Sequence, residues 1–231
     1  MKKVLCLVMA MLMLTVGLTA CGKTDDAKTD MEYVKEKGVL VVGITDFAPM
    51  DYQDADGNWI GFDADLAKAF AKELGVEVKF QLIDWDNKAF ELEGKTIDVV
   101  WNGMTITDEV KGLMGVSNAY CKNAQVVVTT ADAGSDLKAL SFAAEDGSAG
   151  AAALDAEGIA YTAVLDQSTA LMEVASGSVD ACVIDLLMAG AMIGEGTSYP
   201  DLVIAEELAG EEYGVGFRKG SDLIENFNAF Y

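Results

Sequence analysis

Short β-branched runs alternate with helical stretches along this chain, and the alternation restarts once after residue 125. Residues 39–44 (VLVVGI) read as a strand buried on both faces. Past the turn cluster DADGN (54–58), Asp63 is placed to cap a helix. Its apolar stripe is Leu66, Phe70 and Leu74, with Ala67 and Ala71 beside it and Gly75 as the stop. Strand 76–83, helix 86–93, strand 97–101 and helix 107–113 follow. After QVVVTT (125–130) come strand 141–144, an Ala-rich helix 147–157, strand 160–165, helix 168–176, strand 179–184 and helix 186–193. This grammar predicts an α/β fold with mainly parallel sheets. Two such units in 231 residues predict two lobes. Ligands of open α/β sheets sit beyond the carboxyl ends of the strands, and a cleft between lobes is a favoured place for a small molecule.

Charge and composition narrow the chemistry. Sixteen Lys and Arg face 38 Asp and Glu, for a net charge of −22. Nucleic-acid backbones and anionic membrane surfaces attract clustered cations, so neither is an expected partner. There is no histidine, which excludes Ser-His-Asp and Cys-His catalysis and any His-ligated metal. A hydrophobic content of 52% with two prolines allows a sizeable core.

The amino terminus reads as a leader. Lys2 and Lys3 precede an apolar stretch (4–18) too short for a comfortable membrane span and followed by polar residues. It ends in LTAC (18–21) and Gly22, which resembles the lipobox of bacterial lipoproteins. That resemblance implies cleavage after residue 20 and a diacylglycerol on the Cys21 thiol, anchoring the protein to the outer face of the cell membrane. Loss of Lys2 and Lys3 makes the mature chain two units more acidic. Residues 21–30 are polar and aperiodic, a flexible tether. Cys121 and Cys182 could pair outside the cell, but their spacing forces no bridge, and the burial habit of free cysteine favours two thiols.

Four segments carry a wider resemblance: 52–75 (YQDADGNWIGFDADLAKAFAKELG), 94–107 (GKTIDVVWNGMTIT), 178–185 (SVDACVID) and 211–222 (EEYGVGFRKGSD). In this order they resemble the bacterial extracellular solute-binding proteins of family 3, lipoproteins of amino-acid ABC importers. The resemblance implies a type II periplasmic-binding-protein fold: two lobes, each a mainly parallel sheet flanked by helices, joined by two crossover strands. Lobe 1 would be 31–123 plus 206–231 and lobe 2 128–203, with QVVVTT and LVIAEE (202–207) holding the crossovers. The family usually continues past a residue like Tyr231, so lobe 1 is expected to be truncated at its C-terminus. The implied function is capture of a polar amino acid, neutral or cationic, by hinge closure and its delivery to a membrane permease with its ATPase. That work needs no catalytic step, cofactor, metal or nucleic acid, and a monomer suffices.

By position in the family motif, Phe47 and Trp85 would wall the ligand side chain. Asn102, Gly103 and Thr105 would offer groups from a strand-to-helix loop. Ser148 and Ala149 would present amides at a helix start, where the macrodipole favours an anion. Asp185 would pair with the ligand's α-ammonium, and Asp46 would meet a polar or cationic side chain. One departure stands out. The family commonly carries an arginine, which forks onto the ligand carboxylate, where this chain has Val110. The single arginine, Arg218, lies in a motif that does not suggest that role. Three replacements remain open: Lys111 as a point charge, backbone amides at Thr105 and Ala149, or a ligand without a free α-carboxylate. Other uses of the fold are a dehydratase acting on arogenate- or prephenate-like acids and a ligand-sensing input module.

Overall fold

The computed structural model describes residues 28–133 and 136–231, so the leader, Cys21 and most of the tether lie outside the described residues. The elements of the first half are α1 (Asp30–Lys37), β1 (Val39–Ile44), β2 (Tyr52–Gln53), β3 (Trp59–Ile60), α2 (Phe62–Leu74), β4 (Glu77–Leu82), α3 (Lys88–Glu93), β5 (Val99–Val100), α4 (Asp108–Leu113) and β6 (Gly115–Val116). Those of the second half are β7 (Cys121–Thr130), β8 (Phe142–Glu145), α5 (Ala149–Glu157), β9 (Tyr161–Val164), α6 (Gln167–Ser176), β10 (Ala181–Asp185), α7 (Leu186–Met192), β11 (Leu202–Tyr213), β12 (Gly216–Phe217) and α8 (Leu223–Phe230).

Two five-stranded sheets result. The first runs β4-β1-β5-β12-β6, with β4, β1 and β5 parallel and β12 antiparallel to both neighbours. The second runs β11-β7-β10-β8-β9, with β10, β8 and β9 parallel. β7 and β11 form a long antiparallel ribbon whose register shifts between Ile204 and Glu206 and again between Glu207 and Gly210. Such bulges bend and twist a ribbon. One end of the ribbon lies in the second sheet. The other reaches the first half, where Ile106 N donates to Glu212 O and Gly214 N to Met104 O. The ribbon is therefore the double crossover that the resemblance implies.

Several local expectations need correction. Gly61, at φ 122°, stands at the N-cap of α2, because a Cβ there would collide with the Met50 carbonyl. Asp63 sits inside the first turn instead, and its Oδ2 accepts from Gly103 N and Tyr120 OH, both at 2.7 Å. The helix expected at 86–93 divides into a 3-10 turn, Trp85–Asn87, and α3. Asp30, placed in the tether by its polar context, opens α1 behind a Thr29–Glu32 capping box. Cys121 and Cys182 are free thiols, the second fully buried in β10.

Arg218 holds the base of the first lobe. Its Nε lies 2.8 Å from Asp30 Oδ1, and its Nη1 donates to Leu92 O and Ile97 O. Nη2 approaches Asp98, which is fully buried and also receives Lys37. The lone arginine is thus a strut and lines no part of the interlobe cavity. Arg218→Ala leaves buried acceptors without their partner, which costs about 3 kcal/mol or more. Thermal melts should show a loss of about 10 °C, with ligand affinity of the folded protein unchanged.

Candidate functional site: the interlobe cleft

A cavity of about 310 Å³ lies between the two lobes. That volume is at the lower end of the range for small-molecule pockets and suits a single amino acid. Its walls come from the carboxyl ends of parallel strands on both sides. The first lobe supplies Trp85 after β4 and the loop 102–105 after β5. The second supplies Glu145 to Ala149 after β8, Gln167 after β9 and Asp185 at the end of β10. This is where the topology of open α/β sheets leaves loops free to converge.

The lobes meet around this cavity. Lys88 Nζ, from α3, donates 2.9 Å to Gly147 O across the cleft, and Ser168 Oγ donates to Asp46 O at 3.3 Å. Gly147 has φ 66°, and a Cβ there would lie 2.8 Å from Asp86 Cα in the opposite lobe. Only glycine permits both that backbone conformation and that approach.

Asp185 is the most heavily bonded carboxylate in the cleft. Its Oδ1 accepts from Asn123 Nδ2, from Gln125 Nε2 at 2.8 Å and from Tyr213 OH at 2.7 Å, while Oδ2 accepts from Gln167 Nε2. Gln167 Oε1 in turn takes the Asp185 amide. Although Asp185 stands at the N-cap position of α7, its side chain makes no capping bond. Burial pushes its carboxyl well up, helped by the neighbouring Glu211 carboxylate. Glu145, only 3% exposed, has an Oε1 with no hydrogen-bond partner. Burial first, then the charge of Asp185, pushes its carboxyl up to about 8. Asp86, Glu109, Asp146 and Asp155 add four more acids to the lining, against Lys88 as the one cation among the described lining residues. Among the described residues no group of His, Cys, Asp or Glu is arranged to hold a metal ion.

The other sequence-derived positions divide. Trp85, Thr105, Ser148 and Ala149 line the cavity. The Ser148 hydroxyl caps α5 through Ala151 N, which leaves the first amides of that helix open toward the cleft. Asn102 and Gly103 also border it, but their polar groups are taken. Asn102 bonds Thr45 N, Thr45 Oγ1, Thr45 O and Asp51 Oδ2, and Gly103 N serves Asp63. Both therefore shape the loop. Phe47 is buried beneath it, edge-on to Tyr213 at 6.4 Å and too close to Gly103 for any Cβ there, and it is not part of the lining of the interlobe cavity. Asp46 opens instead onto a second cavity of about 410 Å³ with Tyr52, Trp59, Asp166 and Ser168. Val110 lines the main cavity, whereas the exposed Lys111 sits in a separate surface depression near Lys122 and Glu211. Sequence reasoning missed Lys88, Glu145 and Gln167. Glu145 had one available signal, a carboxylate closing the apolar run FAAE at a strand end.

Two α/β lobes, a double crossover and a small polar cavity at the carboxyl ends of both sheets define a type II periplasmic binding protein. The chain belongs to the bacterial extracellular solute-binding proteins, family 3, whose family model matches residues 40–231. It is 32% identical to the arginine-binding extracellular protein ArtP of Bacillus subtilis (strain 168), over 99% of this chain and 91% of that protein. It is also 32% identical to the L-cystine-binding protein TcyJ of Escherichia coli (strain K12), over 84% of this chain and 77% of that one. The crystal structure of the P235GK mutant of ArgBP from T. maritima superposes with a TM-score of 0.80 at 35% identity, covering 87% of this chain and 90% of that one.

Proposed function

We propose that this protein captures a cationic L-amino acid, with arginine as the first candidate, and delivers it to an ABC permease. The observation that carries the ligand class is the pair of buried acids, Asp185 and Glu145, facing one cavity with a Glu145 oxygen left unpartnered. Burial holds these acids toward their protonated forms in the empty cleft, and a cation entering it gains an ion pair by letting them ionise. A ligand with an α-ammonium and a second positive group answers two acids at once. The named specificities of ArtP and of ArgBP fit this choice.

In this reading Asp185 takes the α-ammonium, Trp85 walls the side chain, and Thr105 and the Ala149 amide face the carboxylate end. The Ser148 amide expected there donates instead to Glu145 O at 3.2 Å, and Ser148 serves as the cap of α5. Asn102 and Gly103 hold the loop in place, Phe47 supports it from below, and Asp46 guards the outer cavity. Lobe 1 is 31–123 with 206–231, and lobe 2 is 128–203. Ligand contacts on both lobes favour the closed form, and only that difference in affinity drives closure. The protein works as a monomer outside the cytoplasm. A signal peptide of residues 1–20 is removed, and a diacylglycerol on Cys21 keeps the binding lobes near the permease, raising their effective concentration there. No catalytic step is involved. A dehydratase acting on an arogenate- or prephenate-like acid would bring carboxylates into a cleft that already holds six, which opposes that alternative.

Thermal-shift screening of the mature protein against the proteinogenic amino acids tests the reading. L-Arginine at about a hundred times its Kd should add about 2.7 kcal/mol of stability, or roughly 5–10 °C. No shift with any amino acid would contradict capture.

A further inference from the structure

Position 110 carries valine where an arginine would fork onto a ligand carboxylate, and the cleft has one cation of its own. Lys88 comes from a different element, the start of α3, yet it lines the same cavity as Val110. It is 92% buried, being only 8% exposed. Its Nζ donates to Trp85 O at 3.0 Å and to Gly147 O at 2.9 Å and lies 4.9 Å from the Trp85 ring centroid. An ammonium has three N–H donors, so one remains after those two bonds. Gly147 O immediately precedes the amides that open α5, which places the ammonium beside the spot where those amides meet an anion. Burial pulls the Lys88 ammonium below the usual lysine range, and the charges of Glu145, Asp86, Glu109 and Asp146 around it offset only part of that.

We infer that Lys88 replaces the absent arginine: its free N–H, together with the first amides of α5, holds the ligand's α-carboxylate, so the protein requires that carboxylate. The inference rests on the amino-acid reading above. Among the described lining residues, six of them acids, a free carboxylate has no other cation to approach. The contact to Gly147 O also spans the two lobes, so the carboxylate is held only when the cleft is shut. Lys111, the nearest lysine to the vacated position in sequence, lies outside the cavity and is not the substitute.

The test compares each cationic amino acid with its decarboxylated amine: L-arginine with agmatine, L-lysine with cadaverine, L-histidine with histamine. Each amine keeps the positive groups and lacks the carboxylate. Titration calorimetry on wild type should give an amino acid that binds at least tenfold more tightly than its amine. A charge-assisted hydrogen bond is worth roughly tenfold to a hundredfold in affinity. Lys88→Met should therefore shrink the amino-acid preference by that factor, the amino acid losing at least about tenfold more affinity than the amine. Lys88→Arg should restore the preference to within about threefold of wild type. Melting curves establish that each variant is folded, and Lys88→Gln reads the same ratio should the methionine variant melt too low. Equal losses for amino acid and amine in a folded variant mean that Lys88 only fastens the lobes or balances Glu145, and the inference is overturned. Wild type that binds amine and amino acid alike overturns it too. Wild type that binds none of the six compounds contradicts the cationic-ligand reading and the inference together.

Discussion

An Asp185→Asn variant is expected to bind L-arginine roughly a hundredfold to several thousandfold more weakly than wild type, because breaking a buried ion pair costs about 3–5 kcal/mol. The geometry explains why so conservative a change is so costly. Oδ1 already accepts three donors, from Asn123, Gln125 and Tyr213, and Oδ2 accepts one, from Gln167. Each carboxylate oxygen has about two lone-pair sites, so Oδ1 is crowded and the open acceptor position is on Oδ2. Asparagine can satisfy the Oδ1 partners only by turning its amide NH₂ toward Gln167 and the ligand. That sets donor against donor and donor against ammonium. Because burial and Glu211 raise the Asp185 carboxyl, the free protein tolerates a neutral group there. The variant should melt within a few degrees of wild type while losing affinity. Calorimetry at pH 7.5, with Asp180→Asn as an exposed-acid control bonded only to Ser141, separates loss of binding from loss of fold.

The second large effect is on pH dependence. Glu145 has a folded value of about 8 against a reference of 4.5. Between those values the folded, ligand-free protein holds a proton that the unfolded chain has released. Stability of the free protein therefore falls as pH rises from about 5 to 8, and Asp185, shifted in the same direction, adds to the slope. A cationic ligand reverses the preference, since it stabilises the ionised acids. Binding then releases protons, and affinity should rise with pH by up to about tenfold per unit for each proton released, levelling off above pH 8. Titrations in buffers of different ionisation enthalpy count the protons directly. Glu145→Gln should flatten the profile and lower affinity most at pH 8. A wild-type affinity independent of pH between 6 and 8 would contradict the assignment of these acids to the ligand.

Much of the fold was legible because both periodicities are strong. Residues 39–44, all buried but the first, gave β1 to the residue. The Phe70 and Leu74 stripe with the Gly75 stop gave the body and end of α2. Where the start of α2 was misread, the reason is tertiary. Asp63 has the chemistry of a cap, but Gly103 and Tyr120 compete for its oxygen, and the collision at Met50 gives the cap position to Gly61. The C-terminal α8 went unread although Leu223, Phe227 and Phe230 are spaced for one face. Phe227 stacks edge-on with Trp101 at 5.0 Å and Phe70 at 5.5 Å.

The site was less legible than the fold. Residues placed by motif, such as Trp85 and Asp185, do border the cavity, because a strand end fixes where its loop points. Phe47 and Asn102 illustrate the limit. Their motif positions say that they lie near the cleft, not that Phe47 turns under the loop or that Asn102 exhausts its amide on Thr45 and Asp51. Lys88 carried no local signal, since a lysine opening a short helix reads as a solvated charge. Its burial depends on Gly147 arriving from the other lobe.

A crystal structure of the mature protein grown with L-arginine bears most directly on capture between the lobes. The expected density is one amino acid in the cavity bounded by Trp85 and Ser148. Its α-ammonium should lie within hydrogen-bond distance of Asp185 Oδ2, and Glu145 should face its second positive group. Arginine seated in the outer cavity beside Asp46 and Asp166, with Asp185 still bonded only to protein donors, would contradict it.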